Sequence, residues 1–351
     1  MVALAQARRD VPRFLNPNPA DPPLAFRPRP HAAPVVLESH AEAALRHAAI
    51  AAGVELGVFA PLAGGPLPAE GVADALGLDP GRLAPLLEAL ALTGLLIRQG
   101  DLFANAPEAA RFLVAEGPDQ LGPRIELEAI QIRAAGQLAA RIRGEPAAGP
   151  GPDPDRITAL ARLEAERAGR RLALALHLGQ HQRLLEIGAD GGIAIAACAI
   201  HPDLQAIATT SEAGLGVTRR LVEEAALDRR VQVAGVPTTG GPLLTECDVV
   251  VIWDVRQPRS AAHLLDILRA AAGALVPGAK LHLFGWIRDD RGTSPPGTVL
   301  RALLGEEADP PAREGDLRAT LLQAGFFDVV RRPAPDGIGP PGLSHVAARR
   351  A

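Results

Sequence analysis

The feature that most limits what this chain can become is Leu184-Leu185-Glu186-Ile187-Gly188-Ala189-Asp190-Gly191-Gly192, an apolar run closing in a glycine-rich turn that leads into the Ala-rich segment Ile193 to Ile200. A strand, a tight turn and a helix N-terminus form a cradle for a nucleotide-like cofactor. Glycine lets a ligand approach the backbone, and the first helical turn carries N–H groups without intrahelical partners. Glu186, Gly188 and Gly192 therefore read as cofactor-binding positions. One residue breaks the pattern. Asp190 puts a carboxylate where an acidic-x-G-x-G-x-G turn has its middle glycine, and reads either as a new functional acid or as a solvated turn residue.

Downstream, strands and helices alternate. Apolar runs at Leu204 to Thr209, Val231 to Ala234, Asp248 to Trp253 and Lys280 to Gly285 are separated by helical patterns at Leu215 to Ala226 and Ala261 to Leu275. Continuously apolar strands belong to a parallel sheet covered on both faces, so residues 156–351 predict a doubly wound, Rossmann-like α/β domain. Trp253 and Trp286 fall at or just past the ends of adjacent central strands, where they either line one substrate cleft or pack in the core. His282 reads as a core residue. His177 and His181 have the i, i+4 spacing of a metal pair, but Gly179 lies between them and no third ligand is near, so they are expected to end a helix and no metal is assigned.

The first half is different. Eight prolines between Pro12 and Pro34 block helix and strand ladders, which predicts a flexible arm over residues 1–35. Residues 36–155 then predict a mainly helical domain. A helix over Glu38 to Leu62 and another over Pro68 to Leu76 are followed by a third from Arg82 to Thr93, with Asp79 as its N-cap and Pro80 at its first position. A Gly-Asp hairpin spans Leu95 to Phe103, and one long helix is expected over residues 120–145 before a Pro/Gly-rich connection. Three helices and a hairpin make a winged helix, which raises DNA binding. Charge opposes it: between residues 36 and 115 acidic residues outnumber basic ones by five, and the whole chain carries a net charge of −4. No apolar run reaches the roughly 18 residues of a membrane span. The two cysteines, Cys198 and Cys247, and an N-terminus without a continuous apolar core point to a reducing cytoplasm.

Leu56-Gly57-Val58-Phe59, Ala75-Leu76-Gly77-Leu78-Asp79, the stretch LLEALALTGLL from Leu86 to Leu96, and Ala106-Pro107-Glu108-Ala109-Ala110-Arg111-Phe112-Leu113 resemble the dimerisation domain of small-molecule O-methyltransferases that use S-adenosylmethionine. LLEIGADGG is similar to that family's cofactor turn. His201-Pro202-Asp203-Leu204 resembles its lead into the second strand of the domain, and Leu275-Val276-Pro277-Gly278-Ala279-Lys280-Leu281 its entry to the fifth. The resemblance implies a homodimer, or pairing with a biosynthetic partner, around a small-molecule substrate. It implies neither nucleic acid nor membrane.

The resemblance also assigns roles position by position, and the chain departs at several. The family's ribose-holding acid falls on Thr210, with Glu212 two residues on; its adenine-side acid falls on Val236; its catalytic histidine falls on Gln257, with Asp254 at the end of the same strand. Glutamine is no base at ordinary pH. Losing charge-assisted hydrogen bonds at about 1.5–3 kcal/mol each predicts weakened binding of S-adenosylmethionine. The departures favour a repurposed scaffold, either a non-methylating enzyme or a binding subunit. The alternative is an active S-adenosylmethionine-dependent O-methyltransferase in which Glu212 holds the ribose and Asp254 is the base; a DNA-binding regulator is the second alternative.

Overall fold

The computed structural model describes residues 35–114, 119–145, 153–236, 246–254, 261–291, 294, 312–339 and 342–351. The expected arm, most of the Pro/Gly-rich connection and the loop holding Gln257 lie outside them. By its internal contacts the chain divides into Met1–Leu45 and Arg46–Ala351. Helix α1 (Val35–Glu55) begins in the first unit and ends in the second. It stops short of Leu62, because the chain turns at Gly57 with φ +72 and passes through a 3-10 turn at Pro61–Gly64.

Strand β1 (Leu67–Pro68), α2 (Ala69–Leu76), α3 (Pro80–Leu92), β2 (Leu96–Gln99) and β3 (Leu102–Asn105) form the winged helix, with the small sheet ordered β1-β3-β2. The expected cap is present: Asp79 Oδ1 accepts from the Arg82 N–H at 2.8 Å. Leu83, Leu87 and Leu90 of α3 are buried against Val58, Phe59, Val72 and Phe103, so this helix spends its apolar face on its own core. After α4 (Pro107–Phe112), the single long helix expected over 120–145 is two, α5 (Gly122–Ala135) and α6 (Leu138–Ile142). At Gly136 the N–H is shared between the Ile132 and Arg133 carbonyls, and Gln137 leaves helical geometry.

The remaining chain contributes α7 (Pro154–Ala175), β4 (Arg183–Ile187), α8 (Gly192–Ile200), β5 (Gln205–Thr210), α9 (Leu215–Glu224), β6 (Val231–Gly235), β7 (Cys247–Asp254), α10 (Ala261–Ala274), β8 (Leu275–Gly285), α11 (Glu314–Gln323), β9 (Phe326–Pro333) and β10 (Ser344–Arg350). The seven-stranded sheet runs β6-β5-β4-β7-β8-β10-β9. Its first five strands are parallel, and β10 lies antiparallel to both β8 and β9. The α/β expectation holds, with the correction that the sheet is mixed. Strand β10, Ser-His-Val-Ala-Ala-Arg-Arg, carries little strand signal of its own, and its place is set by hydrogen bonding on both sides.

Alternate residues of β7 explain why the central strand is continuously apolar. Val249, Val251 and Trp253 enter one core with α7 and α8, while Val250 and Ile252 enter the other with α10 and α11. Cys198 is buried in the first core and Cys247 in the second, on opposite faces of the sheet. His177 and His181 lie just past the end of α7: His177 takes a left-handed φ of +53, and His181 Nδ1 lies 3.1 Å from Asp248 Oδ2. No described helix is long and apolar enough to cross a membrane.

Candidate functional site

The turn between β4 and α8 is built around a buried acid. Glu186 is completely buried, and its two oxygens accept the Gly191 N–H at 2.8 Å and the Ala194 N–H at 2.7 Å. Burial pushes its carboxyl up to about 7, against the pull of these N–H donors, and nearby Asp190 adds to the rise. Two glycines then have no room for a side chain. A Cβ on Gly192 would stand 2.9 Å from the Arg162 carbonyl and the Glu166 nitrogen of α7; one on Gly191 would stand 2.7 Å from Thr218 Cγ2. Gly188 and Gly191 have φ near +90, which L side chains rarely adopt.

Asp190 takes a left-handed φ of +50, which Asp tolerates. It is no loose turn residue. The buried Thr210 hydroxyl donates to Asp190 Oδ1 at 2.9 Å, and the Thr218 hydroxyl donates to its backbone carbonyl at 3.3 Å. Val236, just past β6, donates its N–H to the Thr210 carbonyl at 3.1 Å. Three residues expected separately at a cofactor site are thus one connected unit across the ends of β4, β5 and β6. Glu212 is exposed, in a 3-10 turn after β5. Sequence reasoning missed Thr218 and Gly214, the latter packed so closely on Thr210 that a Cβ would collide with its hydroxyl. A polar residue on the inner face of α9 and a glycine at its start were the available signals.

Asp254 is the last residue of β7, its backbone in register with Gly285 of β8. Trp253 and Trp286 are 4% and 5% exposed and belong to one apolar cluster with Phe284, Ile338 and Leu343. His282 is a core residue as expected, with Nδ1 3.0 Å from His345 Nε2, and His345 stacks on Phe284 at 4.5 Å between centroids. A cavity of about 730 Å³ lies elsewhere, beside β9 and β10, lined by Arg124, Glu314, Arg331, Arg332, Asp336 and Ser344 among others.

The turn narrows what it can hold. Helix N-terminal N–H groups normally receive a phosphate, but here two of them are given to the buried Glu186. A pyrophosphate would meet a carboxylate already in its place. The donor set fits a phosphate-free nucleoside.

Residues 38–115 match the O-methyltransferase dimerisation domain. Acetylserotonin O-methyltransferase of Mus musculus is 28% identical over 314 residues, covering 80% of this chain and 81% of the mouse protein. The likeness to O-methyltransferases thus extends well beyond the matched domain. A second relative, 3-hydroxy-5-methyl-1-naphthoate 3-O-methyltransferase of Streptomyces sahachiroi, is 25% identical over 77% of this chain and 82% of its own. The crystal structure of human N-acetylserotonin methyltransferase, in complex with SAM, shares the fold at a TM-score of 0.72 and 18% identity, over 90% of this chain and 97% of the human one. The similarity thus covers both halves of the chain. The comparisons favour an active methyltransferase over a repurposed scaffold.

Proposed function

We propose that this chain is a member of the O-methyltransferase family, an S-adenosylmethionine-dependent methyltransferase acting on a small-molecule hydroxyl, and that it works as a homodimer through residues 38–115. The observation that carries the reading is the Gly188–Gly192 turn, where the Gly191 and Ala194 N–H groups at the start of α8 are taken by buried Glu186 rather than left for a phosphate. S-adenosylmethionine, when bound, supplies a methyl group on a sulfonium as electrophile. Glu186 shapes the turn, Gly188 lets the ligand approach the backbone, and Gly192 lets α7 pack against the turn. Asp254 is the base assigned here, taking the acceptor's proton; Gln257 orients the acceptor, and Trp253 and Trp286 back the site from within the core. The alternative, a binding subunit with a vacated site, rests on the departures at Asp190, Thr210, Val236 and Gln257 alone.

The test is transfer of an isotopically labelled methyl group from S-adenosylmethionine to a panel of small phenols and alcohols. Labelled product is expected, with the rate falling on the order of 10²–10⁴-fold in Asp254→Asn. Binding of S-adenosylmethionine without transfer to any acceptor would sink the reading.

A further inference from the structure

Asp190 and Thr210 are each unexpected at a cofactor site, and the structure joins them. In strand-turn-helix nucleoside sites an acid about 20 residues past the glycine turn, at the end of the second strand, accepts from the ribose hydroxyls. The end of β5 holds Thr210, whose buried hydroxyl faces the turn and donates to Asp190 Oδ1 at 2.9 Å. Asp190 is only half-buried. The left-handed φ of +50 aims it along this direction, and two further contacts fix the arrangement. Thr218 holds the Asp190 carbonyl at 3.3 Å, and the absence of a Cβ at Gly214 leaves the Thr210 hydroxyl its room.

We propose that the carboxylate of Asp190, positioned by Thr210, is the ribose-diol acceptor of this chain, delivered to the end of β5 from the turn rather than from the strand. The inference rests on the methyltransferase reading above. Asp190 is the binding group. Thr210 is a positioning residue that fixes one carboxylate oxygen. A carboxylate also suits a cationic cofactor better than a neutral amide does, because it adds negative potential beside a site already holding Glu186.

The experiment is calorimetric titration of the purified full chain with S-adenosylhomocysteine and with its analogue lacking both ribose hydroxyls. Both are run on the natural protein, Asp190→Asn, Thr210→Val and Thr210→Ser. Asn tolerates the left-handed φ and keeps the shape, and circular dichroism melting checks that each variant folds. For the natural protein the diol is expected to strengthen binding at least about tenfold, the size of one charge-assisted hydrogen bond. In Asp190→Asn that advantage disappears, Thr210→Val reduces it, and Thr210→Ser restores it. A diol advantage unchanged in Asp190→Asn overturns the inference while leaving the methyltransferase reading intact. No binding of either ligand to the natural protein overturns both. If Asp190→Asn binds both ligands more tightly, the carboxylate obstructs the site and the inference is wrong.

Discussion

At the scale of single residues, the buried acid and the buried imidazoles pull stability in opposite directions with pH. Burial holds His282 down at about 3 and His345 at about 4, against an ordinary value of 6.5, so as pH falls below about 6.5 the unfolded chain takes up protons that the folded chain refuses. Their contribution is present above that pH and is lost progressively toward 4. Glu186 acts the other way. Its carboxyl, raised from 4.5 to about 7, gains a proton in the folded state first, so falling pH between those values adds stability. Two histidines against one glutamate leave a net loss. The urea midpoint is expected to be lower at pH 5 than at pH 7, and to reverse its trend when His282→Phe and His345→Leu are combined; a midpoint that stays level from pH 7 to 5 contradicts this account. Much at this scale was legible from the sequence. Glu186 and the glycines follow from the turn pattern, and His282 from its place in a strand. The Asp190–Thr210 bond did not, because it joins residues on different elements whose meeting depends on the turn's backbone angles.

Among elements, α7 approaches α8 closely at Gly169. A Cβ on Gly169 of α7 would lie 2.7 Å from the Ile193 Cα and 3.1 Å from the Ala196 Cβ of α8, so backbone, not a movable side chain, fills the space. Gly169→Ala is expected to cost about 1–3 kcal/mol by overpacking, more than the helix propensity it gains. It also pushes on the helix that opens the cofactor turn. Gly216 in α9 is the control, because nothing stands within 4 Å of its Cβ position. There the same change should stabilise, by up to about 1 kcal/mol. Denaturant melts of both variants check the pair, and similar effects at the two sites would contradict the packing argument. The helices signalled by caps were readable, as Asp79 illustrates. The break at Gly136 was not, because one glycine in an otherwise helical pattern does not say whether the helix bends or stops. Nor was β10, whose strand character comes from its two neighbours rather than from its residues.

For the molecule as a whole, the order of parts carries the functional reading: a dimerisation domain over residues 38–115, then a mixed sheet whose parallel half ends at the turn around Glu186. Arg167 ties the second half together. Its guanidinium pairs with Glu164 at 2.6 Å and donates to the Gly337 carbonyl at 2.7 Å, so α7, which packs on the turn, also anchors the segment between β9 and β10. The central claim is that this frame still binds the cofactor despite its departures from the family pattern. It is tested most directly by titrating the purified chain with S-adenosylmethionine in a calorimeter, after mass spectrometry shows that none has copurified. The account predicts saturable binding near micromolar strength with one site per chain; no heat and no binding at millimolar ligand would contradict it.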